Sequence, residues 1–187
     1  MTGVELVFET HSLTTDNEQG RATGWLGGAL SDYGRAQAAE LGRRRAGVDA
    51  VFASDLARSI ETAEIAFGGT ATLVFLDWRL REVDYGEWNG APVETIARER
   101  RSRIDVAFPG GESYREAVER VGSLLGDLAA TRDGQHVLLV GHTATRWALD
   151  HLLGDVPLER LVAEPFDWRE GWEYRLEPDT TRAGAPA

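Results

Sequence analysis

Two histidines in this chain each follow a short apolar run. His11 comes soon after residues 4–8, and His142 comes directly after residues 136–141. A neutral imidazole can act as a nucleophile or as a base, so either position could carry chemistry. The apolar runs predict buried strands, and open α/β sheets bind ligands beyond the carboxyl ends of their strands. If these two strands are parallel neighbours, the two rings meet at one site. His136 and His151 are interpreted as structural histidines.

The residues around these histidines suit an anion better than a metal, because hydroxyls, amides and guanidinium groups donate hydrogen bonds to oxygens. The loop after His11 is rich in such donors, namely Thr14, Thr15, Asn17, Gln19 and Arg21. Arg58 is predicted to lie in the first turn of a helix, where free N–H groups also favour an anion. The alternative for Arg58 is a surface pair with Glu61 or Glu64.

A third candidate is a group of carboxylates interleaved with aromatic residues. Its carboxylates are Glu82, Asp84 and Glu87, and its aromatic residues are Trp78, Tyr85 and Trp88. A carboxyl group held against aromatic rings can have its pKa raised enough to act as a general acid near neutral pH. Such mixtures also occur in ordinary loops, so the residues alone leave both readings open.

The remaining segments must position these groups, and they alternate between strand-like and helix-like patterns. Strands are predicted over residues 49–53, 72–76 and 172–176, the last at a sheet edge. Helices are predicted over 31–47, from a cap at Ser54 or Asp55, over 92–103, from 113 to about 131, and over 144–153. This order predicts a three-layer α/β/α sandwich with a mostly parallel central sheet. One domain is expected over residues 1–177, followed by a flexible tail over 178–187.

Bulk composition limits the partners. The chain has 187 residues, a formal net charge of -11 and no cysteine. The charge argues against a nucleic-acid or anionic-membrane partner, and the absence of a long apolar run predicts a cytoplasmic protein without a membrane span. The sequence leaves open whether the chain forms a homo-oligomer. An anionic substrate would need a locally basic pocket inside this acidic protein.

Taken in order, these motifs resemble those of the histidine phosphatase superfamily, which is also called phosphoglycerate-mutase-like. The first motif is matched by His11, Asn17, Gly20, Arg21, Gly24 and Trp25. The later motifs are matched by Ser54 to Arg58 with Thr62 and Ala63, by Leu80 to Glu82 with Gly86 to Trp88 and Gly90, and by Gly141 with His142. The resemblance extends over nearly the whole chain and implies the sandwich fold expected above.

The resemblance implies a phosphatase that acts on a small phosphorylated metabolite without a cofactor. By analogy, His11 is the nucleophile that forms a phosphohistidine, and Glu82 donates a proton to the leaving group. Arg58 and His142 would hold the phosphoryl oxygens, with help from Asn17 and Arg21. Mutase activity is less favoured, since mutases of the family tend to be longer.

The chain departs from the family pattern at three positions. Thr10 stands where the family has an arginine, and Ser12 and Thr143 replace glycines that follow the two histidines. Loss of one guanidinium should cost about 3 kcal/mol or more of transition-state stabilisation, roughly a hundredfold in rate. Hydroxyls from Thr10, Ser12 and Thr143 are candidates to bind the phosphoryl group in its place.

The departure leaves other functions open. The pocket could instead perform isomerase-type or lyase-type chemistry on a substrate without phosphate, or bind a ligand without turnover. A metal site built from His11, His142 and a carboxylate is a further alternative, although no histidine and carboxylate have typical ligand spacing.

Overall fold

Five short runs of mainly apolar residues form the strands of one sheet. A computed structural model describes residues 2–177. The strands are β1 (Val4–Thr10), β2 (Ala50–Ala53), β3 (Leu73–Leu76), β4 (His136–Gly141) and β5 (Trp172–Leu176). The helices are α1 (Thr15–Glu18), α2 (Asp32–Arg44), α3 (Ala57–Phe67), α4 (Val93–Glu99), α5 (Tyr114–Thr131), α6 (Thr143–Gly154) and α7 (Leu158–Leu161). Short 3-10 turns cover Trp78–Leu80, Gly86–Trp88 and Arg100–Arg103.

The strand order places the two histidine-bearing strands side by side. The order is β3-β2-β4-β1-β5, and every neighbouring pair is parallel except β1 with β5. The predicted parallel pairing of the histidine strands is therefore confirmed, as is the position of residues 172–176 at a sheet edge. The β3 strand occupies the other edge, which explains why most of its side chains are exposed.

Side chains of β1 and β4 alternate between two apolar layers. Leu6 and Phe8 pack in a cluster with residues of α5 and α6, whereas Val7 packs with residues of α2 and α3 on the opposite face. This alternation follows from the period of two along a strand. The sheet thus lies between two helical layers, and the predicted three-layer α/β fold with a mostly parallel sheet is confirmed.

Most helices begin close to their predicted starts. Ser31 caps α2 by accepting a hydrogen bond from Gly34 N, and Ser113 forms a capping box with Glu116 at the start of α5. The predicted cap of α3 is wrong. Leu56 precedes that helix without a side-chain cap, because the Ser54 hydroxyl instead accepts from the Leu56 amide within the preceding turn.

Two further expectations are modified or lie outside the described part of the chain. The predicted helix over 92–103 is divided into α4 and the 3-10 turn Arg100–Arg103. The predicted flexible tail, 178–187, lies outside the described residues. Within residues 2–177, no helix is long and apolar enough to cross a membrane.

Candidate active site

The carboxyl ends of β1 and β4 bring the two histidines into contact. The register pairs Thr10 with Gly141, one residue before each histidine, and the His11 amide donates to the Gly141 carbonyl at 3.0 Å. The two imidazole rings consequently lie with their centroids 4.9 Å apart. A contact between residues 131 positions apart in the sequence thus follows from strand pairing.

The hydrogen bonds of His11 leave one ring nitrogen without a proton, as a nucleophile requires. Its Nδ1 lies 2.8 Å from the Ser12 carbonyl oxygen, which can only accept, so Nδ1 carries the proton. Nε2 then holds a lone pair, and Arg58 Nε donates to it at 3.3 Å. Burial, together with the nearby Arg58 charge, lowers the pKa of His11 to about 3. The ring is therefore neutral at physiological pH, as an attacking imidazole must be.

His142 is more enclosed than His11, with only 1% of its surface exposed. Its Nδ1 accepts from Arg58 Nη2 at 3.3 Å, and its Nε2 lies 3.3 Å from the Ser59 hydroxyl. Burial, and next the charge of Arg58, holds the pKa of His142 well below its usual value. Both ring nitrogens thus have partners, which suits a group that orients its neighbours and donates or accepts hydrogen bonds.

Arg58 connects the two histidines with the loop 24–27. It is 2% exposed, and its Nη1 and Nη2 donate to the carbonyl oxygens of Gly24, Leu26 and Gly27 at 2.8 to 3.3 Å. When its bonds to His11 and His142 are counted as well, each of the five N–H groups of the Arg58 guanidinium has an acceptor. Arg58 does not form the surface pair considered from its spacing, since Glu61 pairs with Arg35.

Glu82 faces the histidines from the loop after β3. Its Oε1 accepts from the backbone amides of Val83 at 2.9 Å and Ala144 at 3.2 Å. The Glu82 carbonyl oxygen accepts from Trp25 Nε1 at 2.7 Å and from Arg120 Nη2 at 3.0 Å. These bonds fix the carboxyl group beside the start of α6, while Oε2 makes no hydrogen bond to residues 2–177.

A cavity of about 180 Å³ joins these groups and is locally basic. His11, Arg58 and Glu82 line it together with Arg21 and Arg100. Its charged lining is three guanidinium groups and one carboxylate, and within residues 2–177 none of the three arginines forms an ion pair. An acidic protein thereby presents positive charge at the place where an anionic ligand would bind.

The other predicted binding residues occupy different places around the site. Asn17 and Thr143 line the cavity, and Asn17 also uses its Oδ1 to accept from the Thr14 amide and hydroxyl. Arg21 lies at the exposed rim and donates to the Gly90 carbonyl at 3.3 Å. Ser12 is buried and contributes its carbonyl to His11; its hydroxyl remains a predicted phosphoryl ligand only.

Thr10 lines a second cavity, of about 260 Å³, which shares His11, Asn17 and Thr143 with the first. Gln37, Phe166 and Trp168 are among its lining residues, and no arginine is. Arg44 lines a small adjoining cavity with Thr10 and His11. Glu9 pairs with Arg44 at 3.1 Å and with Arg45 at 2.8 Å, so one carboxylate is shared by two guanidinium groups.

Ser59 and Arg100 belong to the site but were not among the candidates predicted from the sequence. Ser59 contacts His142, and Arg100 lines the cavity together with Tyr85, one of the aromatic residues beside Glu82. Arg100 lies in the segment predicted as a helix over 92–103, and nothing in its spacing separates it from its neighbours. As for the metal alternative, residues 2–177 contain no group of three or more histidine, aspartate or glutamate side chains arranged to hold an ion.

Comparisons with known proteins agree with this arrangement. The model of the histidine phosphatase superfamily (branch 1) matches residues 6–171. A Salmonella newport protein named "Probable phosphoglycerate mutase GpmB" is 28% identical, over 98% of this chain and 97% of its own length.

Solved structures show the same likeness. Bacillus stearothermophilus YhfR is 28% identical with a TM-score of 0.77, over 87% of this chain and 86% of that one. A mycobacterial glucosyl-3-phosphoglycerate phosphatase is 29% identical with a TM-score of 0.73, over 85% of this chain and 83% of that one. One of these relatives is named as a phosphatase and another as a probable mutase.

Proposed function

Because the chain belongs to the histidine phosphatase superfamily, we propose that it hydrolyses a small phosphorylated metabolite through a phosphohistidine at His11. The observation that carries this proposal is the neutral His11 ring. Its Nδ1 proton is held by the Ser12 carbonyl, and its Nε2 lone pair lies beside the Arg58 guanidinium. Nucleophile and phosphoryl-binding cation are therefore adjacent before substrate arrives.

In the first step, His11 Nε2 attacks the phosphorus atom and the bond from phosphorus to the ester oxygen breaks. The leaving oxygen takes a proton from the Glu82 carboxyl group, so a neutral alcohol departs. Arg58 stabilises charge on the phosphoryl oxygens, which is usually the largest contribution to such catalysis, and the neutral His142 ring orients Arg58 by accepting from its Nη2. Binding requires the phosphoryl oxygens to replace some carbonyl acceptors that Arg58 now has in the loop 24–27.

In the second step, water attacks the phosphohistidine. The nitrogen–phosphorus bond breaks, phosphate leaves, and the Glu82 carboxylate takes the proton that water loses. His11 returns to its neutral form with Nδ1 still bonded to the Ser12 carbonyl. Because Glu82 acts as acid and then as base, it ends the cycle in its starting state.

The test is phosphate release from a panel of phosphorylated metabolites, with the native protein and His11→Ala compared at equal folded concentration. We expect release by the native protein that is lost in the variant, and a phosphorylated intermediate after rapid acid-free quenching of the native protein. A phosphohistidine is acid-labile and stable to base, which distinguishes it from a phosphoserine.

Two results would contradict the proposal. Equal release by native protein and His11→Ala would exclude His11 as the nucleophile. Turnover of a compound without phosphate, dependent on His11 and Glu82, would instead favour the acid–base alternatives raised by Thr10.

A further inference from the structure

The cavity that Thr10 lines is larger than the one that holds Arg58 and Glu82. Its volume is about 260 Å³, and both His11 and His142 contribute to its lining. Arg58 and Glu82 line the other cavity and not this one. Because the departing alcohol must lie within reach of Glu82 to take its proton, a group in the larger cavity can be attached to the phosphorus atom without being the group that departs.

None of the described residues that line this larger cavity carries a charge. Burial, and next the charge of Arg58, lowers the pKa of both histidines and keeps their rings neutral. Arg44 lines the small adjoining cavity, where its Nε and Nη2 donate to Glu9. An anionic oxygen turned toward the larger cavity would lose water without gaining a cation, which is unfavourable. An uncharged ester group meets no such penalty.

Aromatic residues in the lining suit a planar ring. Phe166 and Trp168 both contribute, and Phe166 is held against Trp172 with 5.7 Å between the ring centroids. Trp168 is 52% exposed, and its indole makes no ring contact within residues 2–177. A half-exposed indole beside a cavity offers a flat apolar face on which another ring can stack.

The lining also has uncharged polar groups with hydrogen-bonding capacity to spare. Gln37 accepts from the Leu13 amide at 3.1 Å through Oε1, and its NH2 group makes no hydrogen bond to residues 2–177. The hydroxyls of Thr10 and Thr143 make none to these residues either. Apolar rings with a few neutral donors and acceptors are the usual lining of a pocket for an uncharged organic group.

We propose that the protein also hydrolyses phosphodiesters, with the retained ester group in the larger cavity and the departing one beside Glu82. The retained group is an uncharged aromatic or heteroaromatic ring. This activity goes beyond monoester hydrolysis, but it rests on the proposed nucleophile, His11. A monoester places no organic group in the larger cavity, because its phosphorus carries one ester bond and that bond breaks.

The final product of a diester is a phosphomonoester instead of inorganic phosphate. His11 Nε2 attacks the phosphorus atom, the bond to the departing ester oxygen breaks, and that oxygen takes the proton of Glu82. The phosphohistidine formed in this way still bears the second ester group. Water then attacks the phosphorus, the nitrogen–phosphorus bond breaks, and Glu82 takes the proton that water loses.

The experiment uses three compounds that share one leaving group, 4-nitrophenolate. They are 4-nitrophenyl phosphate, methyl 4-nitrophenyl phosphate and phenyl 4-nitrophenyl phosphate, and they differ only in the second substituent on phosphorus. We expect the native protein to cleave both diesters and His11→Ala to cleave neither. After each kcat/KM is divided by the rate of the same compound with hydroxide, the phenyl diester should exceed the methyl diester roughly ten- to a hundredfold.

Trp168→Ala should reduce this preference for the phenyl diester to near one, because it removes the indole on which the ring stacks. The matched control is Trp78→Ala, which removes an indole of similar exposure, 53%, that lines neither cavity. The control should keep the native preference. A native preference near one, or an unchanged preference in Trp168→Ala, would overturn the proposal.

Thr10→Arg tests the uncharged lining. It should lower kcat/KM for the phenyl diester at least tenfold, because the longer side chain occupies the space of the retained ring, and equal diester cleavage in this variant would contradict the proposal. Cleavage of 4-nitrophenyl phosphate without cleavage of either diester would overturn this inference and leave the proposed function standing. Cleavage of the diesters that depends on His11 would support it even if no monoester is cleaved.

Discussion

The ends of β1 and β4 carry equivalent histidines in very different surroundings. At the end of β4, an added Cβ on Gly141 would lie 2.6 Å from the Thr145 hydroxyl, and His142 is 1% exposed with both ring nitrogens bonded. At the end of β1, Thr10 lines the cavity of about 260 Å³, to which His142 also contributes, and His11 lines both cavities. The closed end holds a group in place, while the open end is available for a substrate.

This difference also bears on which substitutions the two strand ends tolerate. A side chain larger than glycine at position 141 would collide with α6. Thr10 lines a cavity, so a larger side chain there has space without disturbing the packing of β1. Packing against α6 limits the side chains that fit at the end of β4, whereas the end of β1 has space for larger side chains.

The largest expected effect is at the closed end. We expect His142→Asn to lower kcat about a hundred- to a thousandfold with a smaller change in KM, because Arg58 loses the ring nitrogen that orients its guanidinium toward the developing charge. Rates are measured with the best substrate of the panel, and circular dichroism checks that the variant is folded. Unchanged kcat in a folded variant would show that His142 is only a packing residue.

At the end of β1, we expect a substitution to raise activity rather than lower it. Thr10→Arg should raise activity on generic phosphomonoesters, up to about a hundredfold, because it adds a guanidinium beside His11. Thr10→Gln is the control, since it fills the cavity without adding charge. If the arginine variant folds and gains nothing over the control, the pocket has been rebuilt for other chemistry.

The smallest expected effect concerns stability at low pH. The His11 pKa falls to about 3 in the folded protein from 6.5, so between these values the unfolded chain binds a proton that the folded protein does not. Stability is therefore lost as the pH falls through this window, at most by about 1.4 kcal/mol per pH unit. Urea unfolding at pH 7 and pH 4.5 should show that His11→Gln loses ~2 kcal/mol less than the native protein. Equal losses of unfolding free energy in the native protein and His11→Gln would show that folding does not lower the His11 pKa.

Much of the fold follows from local patterns. The patterns that predict the elements each lie within a short stretch of sequence. They are the apolar runs of four to seven residues, the caps at Ser31 and Ser113, and the spacing of mostly three and four residues in α5. The elements and their order could therefore be predicted. The start of α3 could not be predicted in this way. A serine hydroxyl can cap a helix or accept from an amide in a turn, and the Ser54 hydroxyl accepts from the Leu56 amide in the turn. Propensity does not decide between such alternatives.

The sequence by itself determined the family, the α/β order and the residues His11, Arg58, Glu82 and His142 as candidates, since motif spacing and strand ends are written along the chain. Tertiary structure alone decided which ring nitrogen of His11 carries the proton, that Glu9 is shared between Arg44 and Arg45, and that Arg100 lines the cavity. The physical reason is that ion pairing and desolvation depend on distances between residues remote in sequence. Those distances exist only once the sheet and its helices have packed.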